Sequence, residues 1–197
     1  MFVQSFCAAG CGRSTITGSA LCAVHSADSE SDARRLGDYM VQQKVVRDIC
    51  APGLHFKKMD FSHHQFYGCN FSGATFTGCL FAGAVMRMIF FDFSTLSSCD
   101  FSAGDLQFMS MAGAVIHDCT FEGSELVNIN FEGSDINGSI FNKTNLYNSR
   151  FTGAGIVRSN FIDCNLKRTI FVNTRREEIS YKSSNTAEAI FEMEEYT

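Results

Sequence analysis

Tryptophan is absent from this chain and proline occurs once, at Pro52, while phenylalanine occurs 20 times and glycine 16 times in 197 residues. A bias of that kind points to a repeat rather than to an ordinary mixed core. No stretch approaches the ~18 consecutive apolar residues of a membrane-spanning helix. The start, MFVQSFCAAG, has neither a basic cluster nor a long apolar run, so no targeting segment is expected. The chain is therefore expected to be soluble and cytoplasmic. Its net charge of −5 is mild and gives no electrostatic reason for direct nucleic-acid binding. Nine cysteines is an odd count, and without a secretion signal a disulfide framework is not expected. There is no H-E-x-x-H, no nucleophile elbow and no glycine-rich loop after a strand. His63 and His64 are adjacent and would point to different sides of an extended chain. His117 beside Asp118 reads as a surface pair. No enzyme is expected.

What is present is a period of five. From Phe56 to Phe171 every fifth residue is Phe, Leu, Ile or Met, 24 positions in succession. Two residues before most of them sits a small side chain, such as Ala74, Cys79, Ser94, Cys99, Cys119 or Ser139. Two residues after comes Gly in nine cases, and Asn or Asp often stands just before, as at Asp60, Asn70, Asp100 and Asn130. A helix repeats every 3.6 residues and a strand every 2. Period five fits a short extended step followed by a turn, with the large and small residues facing in and Gly, Asn and Asp serving the turns.

Every twentieth residue gives the number of steps per coil. One column reads Phe61, Phe81, Phe101, Phe121, Phe141, Phe161, and the opposite one Phe71, Phe91, Met111, Phe131, Phe151, Phe171. The two between them drift to Leu and Ile. Twenty residues per coil means four sides. At about 4.8 Å per coil, six coils make a rod of roughly 29 Å. Cys79, Cys99 and Cys119 then occupy inward slots where cysteine acts as a small hydrophobe.

The steps MDFSH, CNFSG, ATFTG, CDFSA, CTFEG, INFEG and CNLKR resemble the pentapeptide-repeat family over about 120 residues. The resemblance implies an all-β solenoid, a right-handed quadrilateral β-helix. The steps from Ala84 to Phe93 lack the turn glycine and depart from the pattern. The resemblance also implies two kinds of function: a non-enzymatic scaffold for protein–protein contact, or mimicry of DNA to bind DNA gyrase, as in quinolone resistance. In related proteins a C-terminal helix often caps the rod or dimerises it. A homodimer is therefore admissible here.

The flanks carry separate signals. Cys7, Cys11, Cys22 and His25 are spaced C-x3-C-x10-C-x2-H, and three thiolates with one imidazole form a closed set suited to structural zinc. The segment is similar to small zinc knuckles at Gly10-Cys11 and Leu21-Cys22, with Leu21 and Val24 available to pack beneath. Residues 1–27 read as a zinc-binding module and 28–54 as a capping or linking helix, N-capped at Asp28 or Ser31, with Leu36, Tyr39, Met40 and Val46 on one face and Pro52-Gly53 as its stop. Residues 55–173 read as the β-helix, and 174–197 as a tail or short helix over 187–196 around Ile190, Phe191 and Met193.

Two surface features stand out. From Met88 to Asn142 there are eight acids and no Lys or Arg, and bases return at Lys143, Arg150, Arg158, Lys167 and Arg168. Val85, Met88, Phe90, Phe93 and Phe108 occupy outward positions, where an apolar cluster marks a contact with a protein partner.

Overall fold

The computed structural model describes residues 5–192. Its body is a parallel β-solenoid of about seven turns. One sheet pairs Val45–Arg47, Gln65–Tyr67, Val85–Arg87, Asp105–Gln107 and Glu125–Val127, always in parallel and always twenty residues apart. The second sheet runs from His55–Lys57 to Arg175–Glu177 with the same offset. Two further columns of single bridges complete the four sides, from Cys50↔Asn70 to Ile170↔Ile190 and from Asp60↔Leu80 to Asn160↔Ser180.

The two phenylalanine columns stack as the twenty-residue period requires. Ring centroids lie 4.7 Å apart for Phe81–Phe101, 5.0 Å for Phe101–Phe121 and 4.8 Å for Phe121–Phe141. On the opposite side Phe131–Phe151 are at 4.6 Å and Phe151–Phe171 at 4.9 Å. That separation is the hydrogen-bonded strand spacing. Backbone pairing and ring stacking therefore share one repeat, and neither strains the other.

The small slots do more than leave room. The thiols of Cys79, Cys99 and Cys119 each donate to a carbonyl of the preceding coil, on Phe56, Phe76 and Leu96. Ser149 and Thr169 do the same to Leu126 and Leu146. All nine cysteines are free. Burial pushes the Cys69 thiol up to about 12, so it stays protonated and unreactive.

The corners share one conformation. From Asp48 to Ser183, every residue two past a large inward slot has φ between 48° and 71°. Glycine takes this left-handed geometry freely, but here Lys, Arg, Met and Phe adopt it as well. The expected Asn and Asp residues help: Asp60, Asn70, Asp100 and Asn130 each accept the N–H two residues on.

At the N-terminal end α1 (Ser29–Gln42) lies under the first coil and buries Ala33, Leu36, Gly37 and Met40. Asp28 is its N-cap and accepts from the Ser31 N–H at 2.9 Å. Gly37 permits close approach, because a Cβ there would stand 2.6 Å from Met59 Cε. The helix is shorter than its apolar face suggests. It stops at Gln42, Val46 turns into the first strand, Tyr39 is exposed, and Pro52-Gly53 forms a corner of the first coil.

Coil pairing also continues past Phe171, where the periodic signal ends. Tyr181 stacks on Phe161 and Phe191 on Phe171. These flanking steps raise the six expected turns to about seven. Of the helix anticipated over 187–196, residues 193–196, Met193 among them, lie outside the described residues. The helical turn observed nearby is a 3-10 turn at Thr186–Glu188.

Candidate metal centre and exposed corner

A hairpin brings the four expected ligands together. Phe6 bridges Ser14, the Cys7 N–H donates to Arg13 O, and left-handed Gly10 and Gly12 fold the turn around Cys11. A second turn returns the chain, with the Ile16 N–H donating to Leu21 O, and the His25 N–H donates to Cys22 O. The donor atoms of Cys7, Cys11, Cys22 and His25 all lie within 4.8 Å of one another. They lie close enough to bind one metal ion.

The edges of this set test the fit. Cys11 Sγ and Cys22 Sγ are 3.7 Å apart, and His25 Nδ1 lies 3.4 Å from Cys7 Sγ and 3.7 Å from Cys22 Sγ. A tetrahedron with metal–sulfur arms of about 2.3 Å and a metal–nitrogen arm of about 2.0 Å has edges of about 3.5–3.8 Å. Thiolate character is favoured at Cys7 and Cys11 but not at Cys22. The Cys22 N–H donating to Cys7 Sγ is the main cause that brings Cys7 down to about 6. A backbone hydrogen bond from Arg13 lowers Cys11. Burial raises Cys22, and hydrogen bonding to Cys7 raises His25. Four protein donors leave no position open to a substrate.

Val24 does not pack beneath the site; it is 66% exposed, while Ile16, at 1%, belongs to the main hydrophobic core. Thr17 and Cys50 join the module to the rod. The Thr17 N–H donates to Cys50 O at 2.7 Å, and the Cys50 N–H donates to Thr17 Oγ1 at 2.7 Å. Nothing in the spacing of the sequence marks Ile16 or Thr17 for this role. A groove of about 500 Å³ lies beside the junction, between Arg13, Ala23 and Val24 on one wall and Pro52, Asn70 and Ser72 on the other.

The expected apolar cluster divides by environment. Met88, Phe93 and Phe108 are 57%, 75% and 58% exposed, and each sits at a left-handed corner with φ of 55°, 57° and 54°. Val85 is half-buried in its strand, and Phe90 lies on the side between the two corners. Met88 and Phe108 are neighbours along one corner, twenty residues apart.

The acidic stretch is partly neutralised. Asp105 pairs with Arg87, Glu132 with Arg150, and Glu122 with Lys143 at 3.5 Å. Asp92 instead accepts from Ser110 and from the Ala112 N–H. Among the described residues no helix is long and apolar enough to cross a membrane.

The family model for pentapeptide repeats matches residues 53–87 and 114–153, in eight copies. Over these residues the chain carries pentapeptide repeats. Solved structures similar to it include Rfr23, a pentapeptide-repeat protein of the cyanobacterium Cyanothece 51142, at 13% identity over 77% of this chain and 98% of that one, with a TM-score of 0.36. HetL, a pentapeptide-repeat protein of Nostoc sp. strain PCC 7120 involved in heterocyst differentiation regulation, is 10% identical over 80% of this chain and 95% of its own, with a TM-score of 0.33. Full-length QnrB1, a plasmid-mediated fluoroquinolone resistance protein, is 15% identical over 72% and 92%, with a TM-score of 0.26. No curated protein sequence matches this chain. The family match stops at Arg87 and resumes at Ala114, leaving out the coil that carries Phe93 and Phe108.

Proposed function

We propose that this chain is a non-enzymatic scaffold for protein–protein contact, stiffened at its N-terminal end by structural zinc on Cys7, Cys11, Cys22 and His25. One observation carries the reading. Three apolar side chains that make no use of a left-handed backbone, Met88, Phe93 and Phe108, occupy left-handed corners and remain more than half exposed. Each such corner costs on the order of 1–2 kcal/mol relative to glycine. The sequence thus gives up stability to present an apolar surface, and strain of that kind collects where a protein binds. The partner surface that fits combines apolar side chains with Lys or Arg, because the sequence between Met88 and Asn142 supplies Asp92 and Glu125 and no cation of its own.

Zinc suits three thiolates and an imidazole in a closed tetrahedron. Nine free cysteines suit a reducing compartment, hence the cytoplasm. Gyrase binding by DNA mimicry has less support, since Arg87, Lys143 and Arg150 interrupt the acidic surface.

The test is affinity capture with the intact chain and with a variant carrying Met88→Ser, Phe93→Gly and Phe108→Gly. The same partner should be retained by the first and lost by the second. Equal retention by both removes the corner as the contact surface. Elemental analysis of the purified chain should find one zinc per chain, and none after Cys22→Ser.

A further inference from the structure

A solenoid begins with an edge. On the side that starts at Cys50, the Asn70 N–H donates to Ile49 O and the Ala51 N–H donates to Asn70 O. These bonds use the peptide groups flanking Cys50 and leave its own N–H and C=O directed away from the second coil. No earlier coil exists to receive them. Unpaired edge groups of this kind either bind another chain or must be covered. Here Thr17 covers both, with its N–H on Cys50 O and its hydroxyl on the Cys50 N–H. Cys50 is 8% exposed, and its thiol accepts from the Asn70 side-chain amide at 3.9 Å.

The covering segment has little to hold it in shape. Between Ser5 and Ser26 only Cys7, Thr15, Ile16 and Cys22 are buried, and two of those four are ligands. So small an apolar core does not order such a length of chain without a further tie. Thr17 stands between ligands Cys11 and Cys22, on the turn that the ligand set closes. Its two other anchors are the buried Ile16 and a hydrogen bond from Arg35 to Thr17 O at 3.0 Å.

We propose that the Cys7–His25 segment is a metal-dependent cap on the first coil, so that its metal state decides whether the backbone edge and thiol of Cys50 are covered or open. This rests on the reading of Cys7, Cys11, Cys22 and His25 as metal ligands and adds a consequence to it: the site controls access to a sheet edge as well as ordering its own loop. The remaining rod cysteines lie inside the coils, so their protection depends on the rod and not on the cap.

The experiment uses the full chain, loaded with zinc(II) or stripped with a chelator, and reads two quantities. One is the alkylation of each cysteine by iodoacetamide, mapped by peptide mass. The other is hydrogen exchange at the Cys50 amide. Removing zinc should speed both at Cys50 at least tenfold, while Cys79, Cys99 and Cys119 remain unlabelled and so report an intact rod. Thr17→Val, with zinc still bound and Cys11 still protected, should speed exchange at the Cys50 amide severalfold. If zinc binds and leaves, as the labelling of Cys11 and Cys22 would report, yet Cys50 remains protected throughout, the cap is not metal-dependent and the inference fails alone. If the chain binds no zinc at all, the metal reading and this inference fail together.

Discussion

The ring of Phe93 lies over Gly113, one coil on at the same corner: a Cβ added to Gly113 would stand 2.6 Å from Phe93 Cδ1. Gly113 also has φ +63°. Gly113→Ala therefore meets two separate penalties, a backbone cost of about 1–2 kcal/mol and displacement of the ring. In combination with Phe93→Gly, the second penalty should vanish and the first remain. A double-mutant cycle by chemical denaturation reads the difference as the coupling. Zero coupling would mean that the ring does not sit over Gly113.

Phe93→Gly alone should stabilise the protein by about 1 kcal/mol, because glycine takes the left-handed corner without strain and the ring is mostly in solvent. The same change should weaken capture of the partner. A substitution that improves stability while impairing binding is the signature of strain kept for function. A fall in the denaturation midpoint would show that the ring contributes more by packing on its neighbours than the corner costs.

The repeat was legible because one residue type fills one role twenty residues apart. Phe61 to Phe161 spell the stacking column directly, and the ring separations follow from it. The ends were less legible for a physical reason. After Phe171 the next inward slot holds Arg176, which breaks the apolar period. Yet Arg176 places its guanidinium 4.8 Å from the centre of the Phe191 ring, and backbone pairing carries the coil onward. Val46 looked like a helical position because its spacing from Leu36 and Met40 fits either reading. Pairing with Phe66 decides it. The cluster of Cys7, Cys11, Cys22 and His25 was legible from spacing alone, since a knuckle needs near neighbours. Thr17 was not, because its partner Cys50 lies 33 residues away and no local pattern records it.

Cys22→Ser should separate the two parts of the chain. Without a full ligand set, the amides from Cys7 to His25 should exchange rapidly. Those from Phe56 to Phe171 should keep their protection, because stability in a solenoid is close to a sum of neighbour terms. Native-state hydrogen exchange reads both in one experiment. Loss of protection along the whole rod would mean that the module, and not the stacked coils, carries the fold.

Phe121 stacks between Phe101 and Phe141, fully buried. Phe121→Ala should cost about 3–5 kcal/mol, the range for emptying a phenylalanine site in a rigid core. The coils above and below cannot close the gap, because hydrogen bonds on all four sides fix their spacing. A loss below 1 kcal/mol in the denaturation free energy would contradict that rigidity.

Cys79 separates the two properties of the small slot, its size and its donor. Cys79→Ser keeps both, and Ser139 and Ser159 already fill the same column, so its cost should be small. Cys79→Ala keeps the size and loses the donor to Phe56 O, a weak sulfur hydrogen bond at 3.6 Å, and should cost little more. Cys79→Leu exceeds the slot and should cost about 1–3 kcal/mol, as extra methylene groups do in a closely packed interior. Denaturation midpoints should therefore fall slightly for Ser and Ala and clearly for Leu. If Ser and Ala were as damaging as Leu, the thiol itself would matter, and Cys79, Cys99 and Cys119 would have to be read as a chemical site and not as a packing column.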